Sequence, residues 1–220
     1  VTDILFGEKT PGGKLPFTSI RNSGHVPVFA EHRNGNGYND RRGLDADMDP
    51  DQNNLPEGYI NESAKPLYPF GYGLSYTSFS LHDLTVSKES ISSEEGVEIC
   101  CKVTNVGQRS GDEVVQLYIS DRYASLIRPK KELAGFKRVS LEPGETKTVA
   151  FQLDASQTAF LNHDMKWMIE AGGFDIMVGT SSDEPKLTGT FQIKDTRIMN
   201  GSARAFFAKA NVVATKESQE

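Results

Sequence analysis

The sequence has little cysteine, no surplus of positive charge and no long apolar run. Its 24 basic and 30 acidic side chains give a net charge of −6 at pH 7. Nucleic-acid binding needs clustered Lys and Arg, so this balance disfavours nucleic acid as a partner. The densest basic stretch, Arg128-Pro129-Lys130-Lys131, is interpreted as a solvated loop. No apolar stretch approaches the roughly 20 residues that cross a bilayer, so we expect no membrane partner.

The two cysteines are neighbours in the chain, Cys100 and Cys101. Adjacent side chains of a strand point to opposite faces, so we expect two free thiols rather than a disulfide. Cys101 is predicted to face inward beside Ile99 and Val103, and Cys100 to face outward. A redox switch or a soft-metal site is the open alternative, although no Cys-x-x-Cys spacing accompanies the pair.

The composition is that of a globular protein, with 37% hydrophobic and 25% charged residues. A chain of 220 residues can then hold one large domain, or one domain with part of another. Residues 19–66, however, are polar and rich in Gly, Asn, Asp and Pro. A loop of that length is uncommon in a compact domain unless it is functional or docked on something larger. We therefore expect a further body beside this region.

The opening residues fit the end of an α/β unit. Val1 to Phe6 have the apolar pattern of a last helical turn or two, and Gly7 suits the C-terminal cap. Pro11-Gly12-Gly13 then predicts a turn. Lys14 to Phe17 predicts a short edge segment, where proline is tolerated.

Residues 79–194 show short alternating runs separated by turn signals. Seven or so such strands predict an antiparallel β-sandwich of ~100 residues. The lack of a Cys…Trp…Cys spacing favours a fibronectin-like sandwich over an antibody-type one. Trp167 is expected to pack at an edge or in the core, with an exposed sugar-stacking role as the alternative. The alternating apolar positions that predict these strands are Leu81, Leu84, Val86, Val97, Ile99, Cys101, Val103, Val115, Leu117, Ile119, Val149, Phe151, Leu153, Phe174, Ile176, Val178, Phe191 and Ile193, and Leu133 to Val139 form a further run.

One segment stands between these two regions, Tyr68-Pro69-Phe70-Gly71-Tyr72-Gly73-Leu74-Ser75-Tyr76-Thr77. Proline fixes φ and glycine permits positive φ, so the segment predicts a rigid, tightly turned connector. Its aromatic rings need a surface to bury against, and we expect a packed joint between two bodies. Residues 195–220 are interpreted as an extension, a helix or a strand lying on a neighbour.

Several of these motifs together resemble the C-terminal part of glycoside hydrolase family 3. Two sequence segments resemble the end of that family's α/β-sandwich domain, Ile4-Leu5-Phe6-Gly7 and Pro11-Gly12-Gly13-Lys14-Leu15-Pro16-Phe17-Thr18. The segment from Pro66 to Phe79 is similar to the family's transition into a fibronectin type III-like domain. Further segments that resemble the family's sequences are His25-Val26-Pro27-Val28-Phe29, Asn105-Val106-Gly107, Gly111-Asp112-Glu113-Val114-Val115-Gln116-Leu117-Tyr118, Arg128-Pro129-Lys130-Lys131-Glu132-Leu133-Ala134-Gly135-Phe136, Leu141-Glu142-Pro143-Gly144-Glu145 and Gly172-Gly173-Phe174 through Val178-Gly179.

The resemblance implies a mainly β fold, a fibronectin type III-like (Ig-like) antiparallel β-sandwich preceded by the C-terminal end of an α/β-sandwich domain. The expected division is residues 1–66 as that end with its long loop, 67–78 as connector, 79–194 as the fibronectin type III-like domain and 195–220 as extension. The implied activity is a retaining, exo-acting β-glucosidase or β-xylosidase, which uses a nucleophile and an acid/base carboxylate. In the family both lie outside the matched segment, so no catalytic residue is assigned here.

The loop from Ile20 to Lys65 holds the candidate substrate contacts, because it could line the mouth of the parent enzyme's active site. The alternative interpretation is a surface loop that packs the joint. The candidates, chosen because their side chains hydrogen-bond or stack on sugars, are Arg33, Tyr38, Arg41, Arg42 and Tyr59.

The same loop contains an acidic run, Asp45-x-Asp47-x-Asp49-x-Asp51. Side chains at every second position of an extended segment would suit Ca²⁺, but the EF-hand pattern fails at Pro50 and Pro56, and a solvated acidic loop is the other interpretation. The four histidines, His25, His32, His82 and His163, lack metal-ligand spacing. We expect neither a metal nor a cofactor.

The first hypothesis is a structural, domain-bracing role within a β-glycosidase. Its partners would be the remaining catalytic domains, on the same or a separate chain, and the β-linked oligosaccharide substrate of the parent enzyme. The second hypothesis is a stand-alone carbohydrate-binding or protein-interaction module. The resemblance favours a periplasmic or secreted location.

Overall fold

The structure is a computed structural model that describes residues 1–24, 26, 28, 30–31, 33, 65–183 and 185–214. These residues form a short helix, α1, and strands β1 to β12, joined by turns and two 3₁₀ segments. The element bounds are α1 Thr2–Leu5, β1 Phe79–Val86, β2 Ser90–Ile91, β3 Gly96–Asn105, β4 Gly111–Asp121, β5 Glu132–Leu141, β6 Thr146–Asp154, β7 Phe160–Leu161, β8 Trp167–Ile169, β9 Gly172–Gly179, β10 Pro185–Ile193, β11 Arg197–Met199 and β12 Lys209–Ala214.

Two facing sheets build the body of the molecule. One has the order β1-β3-β6-β12 and the other the order β2-β10-β9-β4-β5. Neighbouring strands are antiparallel except for the short parallel pair of β2 and β10. A small sheet, β11-β8-β7, lies at the side. The expected antiparallel β-sandwich is confirmed.

The core lies between the two sheets and follows the alternation of the sequence. Fifteen of the eighteen alternating apolar positions are buried, among them Cys101, whereas Leu81, Leu84 and Val86 of β1 are half-buried, as is Cys100. Phe174 of β9 and Phe191 of β10 stack with ring centroids 5.3 Å apart. Full burial of one such side chain contributes about 1.5–3 kcal/mol to the free energy of folding, so burial of this core stabilises the sandwich.

The described residues after residue 194 add strands to the sheets of the sandwich. Strand β11 pairs with β8, and β12 pairs with β6 from Lys209 opposite Gln152 to Ala214 opposite Lys147. The Ala208 amide also donates to the Ala134 carbonyl at 2.7 Å, which ties the extension to β5. The described part of the extension thus contains strands, and these pair with β8 and β6.

The start of the chain is a helix end, as expected. Gly7 has a φ of +78°, the left-handed conformation in which glycine closes a helix. Helix α1 buries none of its residues in the described structure. Among the described residues, no helix has the length and apolar character needed to cross a membrane.

Candidate functional site

Two short segments from the first third of the chain run side by side and form the joint, residues 10–19 and 65–78. The Leu15 amide donates to the Tyr72 carbonyl and the Gly71 amide to the Leu15 carbonyl, both at 2.8 Å. Ser19 forms an isolated antiparallel bridge with Tyr68. The Tyr68 and Tyr72 rings stack at 4.9 Å. The connector is thus ordered by pairing with a segment about 50 residues earlier in the chain.

Asn105, at the end of β3, is the polar centre that ties the joint to the sandwich. Its side chain is fully buried and makes four hydrogen bonds. Its Oδ1 accepts from the Thr77 hydroxyl at 2.7 Å and from the Gly107 amide at 3.1 Å. Its Nδ2 donates to the Arg109 carbonyl at 2.7 Å and the Leu141 carbonyl at 3.1 Å. A buried amide that is satisfied in this way fixes where the connector enters the first strand.

The outer face of β4 is covered by the joint, so this strand is buried on both faces. The Tyr118 hydroxyl donates to Gln116 Oε1 at 2.5 Å, and Gln116 Nε2 donates to the Thr180 carbonyl at 2.7 Å. Burial raises the pKa of the Tyr118 hydroxyl, so this group stays a neutral donor. Gly71, with φ of +80°, passes directly over Gln116, where a side chain would collide with the amide. Glycine is therefore required at this point of the connector.

A buried ion pair adds charge to the same contact. Lys14 Nζ lies 2.8 Å from Glu113 Oε1, and the side chains are only 15% and 8% exposed. Glu113 Oε1 also accepts from the Val114 amide at 2.7 Å. Removing one partner of such a pair leaves an uncompensated buried charge, so the pair specifies the docking position of residues 10–19 more than it adds net stability.

Many large apolar side chains among the described residues of 1–76 are in contact with solvent. Val1 is 96% exposed, Phe6 80% and Leu5 73%. So many exposed apolar side chains in one region are typical of a surface that contacts another body. The other exposed apolar residues of this region are Ile4, Phe17, Ile20, Val26, Leu67, Tyr68, Leu74 and Tyr76.

Of the predicted substrate contacts, the structure describes Arg33. Its backbone forms an isolated bridge with Pro129, and its exposed side chain lines a groove at the small sheet. Tyr38, Arg41, Arg42 and Tyr59 lie outside the described residues, as does the acidic run from Asp45 to Asp51. The predicted candidates therefore stay predictions.

The groove, named here the arginine groove, is lined by Arg33, Arg128, Glu132, Phe160, Trp167 and Arg204. Arg128 stacks on Phe160 at 4.7 Å and donates to Glu132 Oε2 at 2.5 Å. Arg204 stacks on Trp167 at 5.0 Å. Trp167 packs against the core, as expected, and its ring face is taken by Arg204 rather than open to a sugar.

The sequence interpretation missed both of the inner arginines. Arg128 was placed in a solvated loop, but its side chain is only 9% exposed, because it folds back onto Phe160 and the Thr158 carbonyl. Arg204 sits in the extension, which was interpreted as a helix or a strand, and no role was predicted for this side chain. The only local signal was the basic stretch that begins at Arg128.

No group of three or more His, Cys, Asp or Glu side chains in the described part of the chain is arranged to hold a metal ion. His82 Nε2 contacts Thr104 Oγ1 at 2.9 Å. Burial raises the pKa of both thiols, that of Cys101 to about 12. Since metal binding and disulfide exchange need the thiolate, the geometry gives the redox and soft-metal alternatives no support.

Comparison with known proteins identifies both halves of the chain. Residues 1–76 match the sequence model of the glycosyl hydrolase family 3 C-terminal domain, and residues 113–182 match that of a fibronectin type III-like domain. A periplasmic β-glucosidase of Salmonella typhimurium is 40% identical over 194 residues, which cover 88% of this chain and 24% of the relative. A β-xylosidase of Formosa agariphila is 42% identical over 183 residues, or 83% of this chain and 23% of the relative.

Solved structures agree with the sequence matches. A β-glucosidase from Listeria innocua in complex with glucose superposes with a TM-score of 0.75 at 30% identity, over 88% of this chain and 26% of that one. The fold and the joint thus define a β-sandwich attached to the end of an α/β domain. The chain belongs to glycoside hydrolase family 3 and corresponds to the C-terminal part of that family's enzymes. It spans about a quarter of the length of these curated relatives.

Proposed function

We propose that the chain is the C-terminal portion of a retaining, exo-acting β-glycosidase that hydrolyses terminal β-D-glucosides or β-xylosides. Its role there is structural: it braces the two catalytic domains and contributes no catalytic carboxylate. Residues 1–66 with the connector 67–78 belong to the α/β-sandwich side of this brace. Residues 79–194, with the extension 195–220, form the fibronectin type III-like side.

The observation that carries this proposal is the solvent-facing apolar surface of residues 1–76. Phe6, Leu5 and Leu74 are each more than 70% exposed, although the same region is fastened to the sandwich by the joint. Burying such a surface against a protein partner is favourable by roughly 25 cal/mol for each Å² of apolar area. The remaining part of an α/β-sandwich domain is the partner that the family match supports.

A retaining pair of carboxylates is not supported at Asp121, the described carboxyl group whose pKa is raised. Such a pair needs an acid with a raised pKa and a free nucleophilic carboxylate about 5 Å away. Burial raises the pKa of Asp121, with Arg128 opposing the shift. The carboxylates that act on it, Glu132 and Glu170, are engaged with Arg128 and with the Ser125 amide. No free nucleophile therefore faces Asp121 among the described residues.

An assay of the isolated chain tests the absence of catalysis. The homogeneous 220-residue protein is incubated with aryl β-glucosides and aryl β-xylosides, next to an active β-glucosidase. We expect no release of the aryl alcohol above a buffer blank. Turnover that co-purifies with the chain and disappears on denaturation would sink the structural role.

A titration separates this proposal from a stand-alone binding module. Neutral β-linked gluco- and xylo-oligosaccharides are added to the chain in a calorimeter, and we expect no saturable heat. Saturable binding of these neutral sugars would favour the binding module. A partner chain that carries the catalytic domains would be revealed by co-purification from the source.

A further inference from the structure

The arginine groove holds more positive charge than its own side chains neutralise. Arg33, Arg128 and Arg204 all line it, and Glu132 is the acidic residue among its described lining. Glu132 is already bound by Arg128 at 2.5 Å. Arg33 and Arg204 form no ion pair with any other described residue. Among the described residues, neither guanidinium group has a direct carboxylate partner, although Glu132 acts electrostatically on Arg204.

Arg204 is the more informative of these two. Its Nη2 donates to the Gln157 carbonyl at 3.2 Å, and its Cζ lies 5.0 Å from the centre of the Trp167 ring and 5.2 Å from that of Phe206. Its Nε is buried and has no hydrogen-bond partner in the described structure. Burial lowers the pKa of Arg204, with Glu132 opposing the shift and Arg128 adding to it. A half-buried guanidinium with a buried, unsatisfied Nε close to another cation is an arrangement that a bound anion would stabilise.

The surroundings favour a singly charged carboxylate over a phosphate. Two carboxylates lie near Arg128. Glu132 accepts a hydrogen bond from Arg128, and Asp121 interacts with it electrostatically. These two carboxylates limit the positive potential and would repel a dianion. A planar carboxylate, in contrast, matches the fork of a guanidinium and needs one compensating charge.

The rest of the lining suits the ring that carries such a carboxylate. Leu126, Ile127, Pro129 and Leu161 present apolar surface next to the arginines. A pyranose ring has apolar C–H faces and hydroxyls at its rim, so it can lie on this surface while its acid group reaches Arg33 and Arg204. We propose that the arginine groove binds a hexuronate residue of an acidic oligosaccharide.

This inference concerns the β-sandwich alone and does not rest on the proposed glycosidase role. Binding is read by calorimetry, whereas the glycosidase role is read by turnover, so the two can fail separately. The probe is a xylo-oligosaccharide bearing one glucuronate, with the neutral oligosaccharide of equal length and free glucuronate as the other arms.

We expect saturable binding of the glucuronate-bearing oligosaccharide at low salt, at least tenfold tighter than the neutral one and weakened by added salt. Similar affinity for free glucuronate would assign recognition to the acid sugar itself. Much weaker binding of free glucuronate would assign it to the sugar within a chain. Equal affinity for the acidic and neutral oligosaccharides, or no saturable binding of either uronate, would overturn the proposal.

Substitutions locate the binding. Arg204→Met should abolish measurable affinity, and Arg33→Met, which alters only an exposed side chain, should weaken it several-fold without changing the thermal midpoint. Arg138→Met is the matched control, because Arg138 is an exposed arginine that pairs with Asp112 outside the groove. Loss of binding in the control equal to that in Arg33→Met would assign the affinity to overall charge and reject the groove.

Discussion

The two regions of this chain are stabilised in different ways. The sandwich of residues 79–214 encloses a complete core, with residues such as Phe151 and Val97 fully buried. Among the described residues of 1–78, only Gly71 and Thr77 are buried. The first region takes its order from hydrogen bonds and one ion pair to the outside of the sandwich. The difference teaches that the sandwich encloses its own core, whereas the first region is docked on the sandwich and leaves many apolar side chains exposed to solvent.

The largest effect is expected in the core of the sandwich. Phe151→Ala removes a fully buried ring of β6 and should lower the free energy of unfolding by about 3–5 kcal/mol. Phe207→Ala, which truncates a ring that is 60% exposed, is the control and should change it by less than about 0.5 kcal/mol. Urea unfolding measures both. Equal losses in the two variants would break the comparison, because the sandwich would then have no special core.

The next effect concerns the joint. Asn105→Ala removes all four side-chain hydrogen bonds of the polar centre and should destabilise the chain by about 2–4 kcal/mol. Cleavage of residues 1–78 by a protease should accelerate more than cleavage of the sandwich. Asn211→Ala, at an exposed position of β12, is the control and should be neutral. If both regions of Asn105→Ala become equally sensitive, the joint and the core are one cooperative unit.

The sequence predicted the core well because each inward position is an apolar residue at a period of two, as in Val97, Ile99 and Val103. It did not predict that Gln116 and Tyr118 are also buried. Their outer face is covered by Gly71 and its neighbours, a contact made between residues far apart in the chain. The arginine groove was not predicted for the same reason, since Arg33, Arg128 and Arg204 come together only in the folded chain.

The thiols allow a smaller, pH-dependent test of the core. Burial raises the pKa of Cys101 to about 12, so its alkylation at pH 8 should be more than roughly a hundredfold slower in the native chain than in urea. Cys100, which is half-buried, should react faster than Cys101.

The sign of the linked stability follows from that shift. Because the folded pKa is raised, the stabilisation is complete below the unfolded value of about 8.5 and is lost as the pH rises toward about 12. The midpoint of unfolding should therefore decrease as the pH rises above about 8.5. Equal alkylation rates of Cys101 in the native and unfolded chain would show that β3 is open to solvent.

The smallest effect is expected on the apolar side of the first region. Phe6→Ser alters a ring that is 80% exposed and should change the stability of this chain by less than about 0.5 kcal/mol. In a longer protein that includes the proposed α/β-sandwich partner, the same change should cost more than about 1 kcal/mol, since the ring would then be buried. Thermal unfolding of both forms compares them, with Lys9→Ser as a polar control. An unchanged longer protein would remove Phe6 from the proposed interface.

Strand β12 has a consequence for self-association. It covers the edge of β6 along Lys147 to Gln152, and it is held at its start by the bond from Ala208 to Ala134. A product of proteolysis or premature termination that stops before Lys209 would keep its core but present the bare backbone of β6. Unpaired edges of this kind recruit strands from other molecules. By covering this edge of β6, strand β12 therefore protects the sandwich against aggregation.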